Sequence, residues 1–331
     1  MLRFLLRLMG QSLLVLFISF TLLFILLRGL GDPAHILLGQ RSDRVALEAI
    51  RRQLHLDKPL WQQYLYAWAE WLPYRDGQWR MPLLGTSYLY GRSVAALYAE
   101  RFPATVLLAM AALLIAVILG IGGGLWQSVR PSKLLQGLSL LLLSLPGYVV
   151  GLMLVALLAI EWGRWTGLPP TGYILTYDSS CDCLLYQWRA LVLPAFALSL
   201  RPAAYLFQLT SEEARLLLQK DFIRAARARG KPFWRILLSD VLRNLFPPII
   251  TALTQWLAGI LTGALFIEEL FDWPGVGRLL FSALISSDFP LLIGIAQLST
   301  LIFILLNAMS ELLGWWSDPR LRQQEVHTFA S

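Results

Sequence analysis

The 331-residue chain is short of charge. Only 15% of its residues are charged, whereas 57% are hydrophobic and the mean hydropathy is +0.59. An ordinary soluble domain has about 25% charged residues. This composition argues against a soluble enzyme or a soluble binding module and favours a membrane protein.

Cysteine and histidine are also scarce, with 2 and 3 residues respectively. Cys181 and Cys183 form a single Cys-x-Cys pair, and no second pair or nearby histidine completes a metal site. The two thiols either form a strained local disulfide or remain free, and neither state indicates a function. The sequence therefore predicts no metal ion and no other cofactor.

The chain also lacks the residues of an enzyme. No Gly-x4-Gly-Lys-Ser/Thr phosphate-binding loop is present, because Gly122-Gly123-Gly124 lie in an apolar segment without the lysine. A membrane-embedded enzyme would need clustered His, Asp, Glu or Cys at membrane depth. The polar residues of the apolar segments form no such cluster; they include Gln255, Gln297, Asn307 and Glu311. The chain is predicted to be non-catalytic.

Long apolar runs are what the chain does contain. A helix needs roughly 20 mostly apolar residues to cross the hydrocarbon core. About six segments meet this length: 9–30, 104–127, 135–160, 190–210, 247–267 and 289–313. The first is interpreted as a membrane helix and not as a cleaved signal, because its apolar run is too long and no small-x-small site follows it. The expected fold is an all-α integral membrane protein.

The basic residues predict that both termini lie in the cytoplasm (N-in, C-in), because Lys and Arg of short loops are retained on that side. In this orientation the cytoplasmic segments carry Arg3, Arg7, Arg130, Lys133, Arg215, Lys220, Arg224, Arg227, Arg229, Lys231, Arg235, Arg243, Arg320 and Arg322. The short outer loops carry only Arg164, Arg189 and Arg278. The net charge of +7 is thus a topology signal, and no nucleic-acid partner is predicted.

Four segments are predicted along the chain. Residues 1–30 form the first membrane helix, and 31–102 form an outer, periplasmic subdomain. Residues 103–317 form the membrane core with a cytoplasmic loop at about 212–246, and 318–331 are a cytoplasmic tail. The outer subdomain is expected to hold two short amphipathic helices, at 42–54 and 59–68, because apolar residues recur there at helical spacing.

Glycine and proline mark two of the predicted spans. Span two contains Gly120 and Gly122 to Gly124, and small residues in a membrane helix allow a neighbouring helix to approach closely. Span three contains Ser144-Leu145-Pro146-Gly147, where proline removes a backbone hydrogen bond and bends the helix. The bend is either a mechanical hinge or an ordinary kink.

The cytoplasmic loop contains Asp221-Phe222-Ile223-Arg224-Ala225-Ala226-Arg227-Ala228-Arg229-Gly230, followed by Lys231 to Asn244 and Pro247-Pro248. A short helix is predicted, with its alanines forming a smooth surface and Arg224 and Arg227 on one face. Gly230 is suited to a turn, and Pro232 to the start of a second helix. The loop could lie on anionic lipid, act as a solvated connector or dock a cytoplasmic protein. Docking is favoured over lipid binding, because an alanine-lined helix would bury little apolar area in a membrane surface.

This loop resembles the signature of ATP-binding-cassette importer permeases, which is Glu-Ala-Ala, three residues, Gly, and then a hydrophobic position and Pro. Ala225, Ala226 and Gly230 fit, Arg224 stands where Glu would be, and Pro247 or Pro248 closes the pattern.

Other stretches resemble the dipeptide, oligopeptide and nickel branch of this family over nearly the whole length. They include Gly31-Asp32-Pro33, Leu56-Asp57-Lys58-Pro59-Leu60, Leu84-Gly85-Thr86-Ser87, Pro103-Ala104-Thr105, Leu193-Pro194, Glu268 to Arg278, Asp288-Phe289-Pro290 and Asp318-Pro319-Arg320. Members usually carry Arg near positions 208 and 211, where this chain has Gln208 and Ser211, and Asp in place of Glu311. Residues 174–188 look like an insertion.

The resemblance implies a type I importer permease in a bacterial inner membrane. Its partners would be a second homologous permease, two ATP-binding subunits or domains, and a periplasmic or external solute-binding protein. The helix at Arg224, Ala225, Ala226 and Arg227, with Gly230 and Pro247, would couple the permease to the ATPase. The substrates would be peptides, or alternatively nickel or related small solutes.

Two further interpretations stay open at this point. Glu268, Trp273, Pro274, Gly275 and Gly277 form either a periplasmic gate or a tight turn with an interfacial tryptophan anchor. The alternative function is a secondary carrier or channel that needs no ATPase. Such a carrier would show matched internal repeats, and no repeat is evident between the two halves.

Overall fold

The computed structural model describes residues 2–29, 48, 51–52, 56–69, 71, 74–75, 78–79, 84–172, 175–178 and 183–317. The helices are α1 (Leu2–Gly29), α2 (Leu60–Ala69), α3 (Val94–Val129), α4 (Lys133–Ser144), α5 (Gly147–Leu154), α6 (Gly163–Thr166), α7 (Arg189–Leu218), α8 (Asp221–Ala228), α9 (Phe233–Arg235), α10 (Leu242–Gly263), α11 (Leu265–Leu270), α12 (Val276–Ile285) and α13 (Phe289–Ser317). Two π-helical segments, Val155–Glu161 and Ile236–Val241, continue α5 and α9.

In the part of the chain that the structure describes, two short antiparallel hairpins lie between helices. One pairs β1 (Tyr74–Arg75) with β2 (Gln78–Trp79), and the other pairs β3 (Leu175–Asp178) with β4 (Cys183–Tyr186). Neither hairpin was predicted from the sequence. Cys183 begins β4, whereas Cys181 lies outside the described residues.

Among the residues that the structure describes, the helices long and apolar enough to cross a membrane number 5, or 6 if the bent pair Lys133–Ser144 and Gly147–Glu161 is one span. The predicted membrane fold of about six spans is thereby confirmed. Two starts differ from the prediction. Span two begins at Val94 instead of residue 104, and span five begins at Phe233 instead of residue 247. In both cases the added turns are amphipathic, so an apolar run alone does not reveal them.

The predicted bend in span three is confirmed and is large. α4 and the helix that starts at Gly147 meet at 111°. Leu145 adopts an extended backbone (ψ 137°), and so does Pro146 (ψ 135°), which is the N-cap of α5 and makes no side-chain capping hydrogen bond. The helix is therefore broken at this sequence and not merely kinked.

The chain divides into two compact units, and the first comprises Met1–Thr105 and Pro274–Ile304. In this unit α2 confirms the helix predicted at 59–68. Its Tyr64 and Trp68 pack on Phe20 and Phe24 of α1, and the Tyr64 hydroxyl lies 2.7 Å from Thr21 Oγ1. Of the helix predicted at 42–54, only residues 48, 51 and 52 are among those described, and they are helical.

The second unit comprises Val106–Trp273 and Leu305–Ser331. Here α3 and α7 approach closely: a Cβ atom on Gly120 would lie 2.6 Å from Leu206 Cβ, and one on Gly124 would lie 2.6 Å from Thr210 Cβ. The predicted packing role is confirmed for these two glycines. Gly122 has nothing within 4 Å and takes no part in this contact.

Candidate functional site

The predicted short helix and turn are present at 221–231. α8 ends in a Schellman motif. The Gly230 N–H donates to the Arg227 carbonyl (2.9 Å), and the Lys231 N–H donates to the Ala226 carbonyl (3.2 Å). Gly230 has a φ of +75°, which glycine adopts without strain. The turn leads to Pro232, which is the N-cap of α9.

The inner face of α8 is part of a hydrophobic core. Ile223 and Ala226 are buried, and their i, i+3 spacing places both on the same face of the helix. The residues around them come from α3, α7, the π-helical segment and α10: Leu125, Ala214, Ile236, Val241, Leu245 and Ile249. The prediction that Ala226 lies on an approachable outer surface is therefore wrong, because its side chain is only 3% exposed.

The outer face of α8 carries small and basic side chains. The exposed residues are Asp221, Phe222, Arg224, Ala225, Arg227 and Ala228. Arg224 forms an ion pair with Asp221 at 3.3 Å, but both side chains are so exposed, at 75% and 95%, that the pair adds little stability. The Arg227 guanidinium lies 5.4 Å from the centre of the Phe233 ring. Ala225 and Ala228 are thus exposed, and their role in docking stays a prediction.

The turn after α8 is fixed to the π-helical segment by one lysine. Lys231 Nζ donates to both carboxylate oxygens of Asp240, at 2.8 and 2.7 Å, and to Ser239 Oγ at 2.7 Å. Beside it, Trp234 and Leu238 are exposed and line a shallow depression together with Lys231 and Arg235. The exposed surface therefore continues from α8 onto the start of the second helix.

Pro247 lies inside a helix and not in the loop. The helical run begins at Phe233, passes through the π-helical segment and continues as α10, where Pro247 and Pro248 occupy interior positions. Pro247 is half-buried, and its carbonyl accepts a hydrogen bond from Thr251 Oγ1 at 3.1 Å. The predicted cytoplasmic loop of about 212–246 is consequently mostly helical.

Glu268 and Trp273 lie in the second unit, the first within α11 and the second three residues after its end. Glu268 is fully buried at 0% exposure, and its carbonyl accepts a hydrogen bond from the Trp273 N–H at 2.7 Å. The Trp273 side chain is 1% exposed. The interpretation of Trp273 as an interfacial anchor is therefore wrong, because such an anchor presents its ring to the headgroups.

Pro274, Gly275 and Gly277 lie in the first unit, at the start of α12. Gly275 caps this helix, and Gly277 lies in its first turn. The buried Val276 N–H between them donates to Thr105 Oγ1 of α3 at 2.8 Å. The Thr105 hydroxyl thus fixes the start of α12 to α3.

One buried carboxylate was missed by the sequence analysis. Asp288, 1% exposed, accepts hydrogen bonds from Ser87 Oγ (2.5 Å) and the Leu89 N–H (3.0 Å) at one oxygen, and from the Leu291 N–H (3.2 Å) at the other. Ser87 and Asp288 themselves lie in stretches that the sequence singled out, Leu84 to Ser87 and Asp288 to Pro290. No local signal indicated that these two stretches meet.

Two family models match the chain. The model described as binding-protein-dependent transport system inner membrane component matches residues 112–323. The model for the N-terminal part of such membrane components matches residues 1–109.

Curated relatives match over nearly their full length. The protein named "Probable D,D-dipeptide transport system permease protein DdpB" of Escherichia coli K12 is 33% identical over 309 residues, covering 88% of each chain. The glutathione transport system permease protein GsiC of the same strain is 30% identical over 312 residues, covering 93% of this chain and 94% of the relative.

A solved structure shows the same fold at low identity. A chain of the MetNI methionine ABC transporter, in an inward-facing conformation, aligns with a TM-score of 0.53 and 14% identity, covering 68% of this chain and 97% of that one. From the two family models and the full-length relatives together, we conclude that this chain belongs to the family of binding-protein-dependent transport system inner membrane components, the permease subunits of ATP-binding-cassette importers.

Proposed function

We propose that this permease carries peptides or small peptide-like solutes across a bacterial inner membrane. The proposal rests on relatives that are named for D,D-dipeptide and glutathione transport. Nickel, the other substrate that the sequence analysis left open, has no support from these names. Family membership disfavours the alternative of a carrier or channel that works without an ATPase.

α8 is the proposed coupling element, and one observation carries this assignment. Its outer face is exposed, with Arg224, Ala225 and Arg227 available to a partner, while its inner face belongs to a core shared with α3, α7 and α10. Protein cores are close-packed and transmit displacement. A movement imposed on α8 by an ATPase would therefore reach three membrane helices at once.

The other residues of the proposed coupling site have different roles. Ala226 joins α8 to the core, and Gly230 closes the helix so that the chain can turn. Pro247 lies farther along α10, where a proline weakens the backbone hydrogen bonding. It would let the cytoplasmic end of α10 tilt separately from the rest of the helix.

The assembly would contain this permease, a second homologous permease, two ATP-binding subunits or domains that hydrolyse ATP, and an external solute-binding protein. Residues 31–102, which lie between the first helix (1–30) and the core (103–317) with its tail (318–331), would face the solute-binding protein. The 268–277 segment of the core would face it as well. The burial of Glu268 and Trp273 supports a gate at this segment over an anchor in the lipid headgroups.

Co-purification tests the proposal. The tagged chain is isolated in mild detergent, its partners are identified by mass spectrometry and the complex is assayed for ATP hydrolysis. We expect a second permease and an ATPase to be recovered, with hydrolysis of ATP. A chain that purifies alone or as a homo-oligomer without ATPase activity would contradict the proposed assembly.

A further inference from the structure

Arg201 is a charged residue in the interior of a membrane helix. It lies 12 residues, or about 18 Å at helical rise, into α7, which is long and apolar enough to cross a membrane. Its side chain is exposed and has no hydrogen bond, ion pair or ring contact with any residue that the structure describes. A charge at this depth is costly in lipid, so an arginine here faces water or an opposite charge.

Arg201 begins a polar stripe along α7. Tyr205, Gln208 and Glu212 follow it at i+4, i+7 and i+11, which places all four on one face of the helix. Arg201, Tyr205 and Glu212 are exposed and Gln208 is half-buried. The opposite face is buried and consists of residues such as Ala203, Leu206, Thr210 and Ala214. The stripe runs from the middle of α7 towards its cytoplasmic end.

Lipid does not suit this stripe. Between residues 13 and 26 the exposed side chains of α1 are apolar, as Leu14, Ile18 and Leu22 illustrate, and such a surface matches the hydrocarbon core. The exposed face of α7 has the opposite character.

Close packing against another membrane helix does not suit the stripe either. Membrane helices approach each other through small residues. Those of α7 are already used, since Ala203 and Thr210 lie against Gly120 and Gly124 of α3. A water-filled pathway remains as the environment that accommodates the guanidinium.

The groups beside Arg201 are suited to a polar solute. The Tyr205 ring lies 6.0 Å from the Trp256 ring of α10, and Gln208 Nε2 donates to Ser139 Oγ of α4 at 3.3 Å. Aromatic and amide groups can contact the side chains and amides of a peptide. A guanidinium with no competing partner binds a carboxylate through two parallel hydrogen bonds.

We propose that Arg201 lines the translocation pathway and binds the carboxylate of the transported solute, with Tyr205 and Gln208 beside it. This inference rests on the proposed function and makes its substrate class more specific: a solute that bears a free carboxylate, such as a peptide with an unblocked C-terminus.

Thiol labelling tests whether position 201 faces water. Arg201→Cys and, as a control, Ile18→Cys are made in a chain whose Cys181 and Cys183 are replaced by serine, and the whole importer is placed in lipid nanodiscs. A charged thiol reagent should modify the Arg201→Cys chain and leave the lipid-facing Ile18→Cys chain unmodified. Equal resistance of the two chains would overturn the inference.

Uptake measurements test whether Arg201 binds the carboxylate of the solute. Proteoliposomes with the whole importer receive one peptide as the free acid and as the C-terminal amide, chosen so that the solute-binding protein binds and is saturated by both. Arg201→Met should lower the maximal uptake rate of the acid about tenfold and change that of the amide less than about twofold, because the charge-assisted hydrogen bonds serve only the acid. Arg201→Lys should give a maximal uptake rate of the acid between those of Arg201→Met and the wild type. Arg189→Met, at the start of α7, should take up both forms at the wild-type rate.

Wild-type uptake of the acid by Arg201→Met, or equal loss of both forms, would overturn the role of Arg201. A wild-type importer that takes up neither form would contradict the proposed function itself, and this inference with it.

Discussion

Gly230 combines an unusual backbone conformation with an open surface. Its φ is +75°, and a Cβ atom at this position would meet nothing within 4 Å. Gly230→Asp should therefore cost only about 1 kcal/mol of stability and leave the chain inserted. It should abolish ATP-driven uptake and co-purification of the ATPase, because it places a charged side chain where the partner approaches α8.

Gly91→Asp is the matched control for this prediction. Gly91 also has a positive φ, of +61°, and an open surrounding, but it lies outside the proposed coupling element. This variant should lose a similar amount of stability and keep the ATPase bound. Normal uptake by Gly230→Asp would exclude the docking role of the turn.

Asp288 should contribute strongly to stability, because it accepts hydrogen bonds from Ser87, Leu89 and Leu291 in a buried setting. Asp288→Ala leaves these donors unsatisfied and should cost roughly 2–4 kcal/mol. Asp288→Asn, which keeps one acceptor oxygen, should lose less. Thermal unfolding of the purified protein measures both, with the exposed Asp221→Ala as a control. An Asp288→Ala chain as stable as this control would contradict the account.

Individual residues show where sequence reasoning succeeds. Gly230 was placed correctly, because a turn after a basic helix demands a residue with few steric limits. Ala226 was placed on the wrong face, since small residues suit both a docking surface and a crowded core. The contact between Ser87 and Asp288 joins positions 201 residues apart, and no local pattern encodes such a distance.

At the scale of elements, the contact between α3 and α7 makes a sharp prediction about two glycines of one helix. Gly124→Ala places a Cβ atom 2.6 Å from Thr210 Cβ and 2.8 Å from the Phe207 carbonyl oxygen. Such overpacking should cost roughly 1–3 kcal/mol. Gly122→Ala meets no atom within 4 Å and should be neutral or stabilising by up to about 1 kcal/mol. Equal stability of the two variants in thermal unfolding would contradict the packing.

Helix positions were predictable where hydrophobicity alone defines them, as for the first and last spans. The cytoplasmic start of span five was not, because Phe233 to Leu245 alternates buried residues, such as Ile236 and Val241, with charged ones, such as Arg235 and Asp240. That pattern follows from packing against α8 and α7, and an apolar-run criterion does not detect it. The β3–β4 hairpin was likewise missed in a segment recognised only as an insertion.

The membrane topology of the whole chain depends on the bent pair of helices, Lys133–Ser144 and Gly147–Glu161. If α4 and α5 with their π-helical continuation form one span, the chain crosses the membrane six times and both termini are cytoplasmic, as the basic residues predict. Lys133→Cys and Arg164→Cys, in a chain without its native cysteines, flank this pair. An impermeant thiol reagent added outside intact cells should label Arg164→Cys only. Labelling of both or neither would indicate a re-entrant loop and five spans.

The most direct test of the account is uptake itself. The importer is reconstituted in proteoliposomes with ATP on the side of α8 and the solute-binding protein with a labelled peptide on the other. An ATP-driven importer coupled through α8 should accumulate the peptide only with ATP hydrolysis, and Gly230→Asp should abolish the accumulation while the complex stays in the membrane. Accumulation that continues without ATP, or that Gly230→Asp leaves unchanged, would contradict an ATP-driven importer coupled through α8.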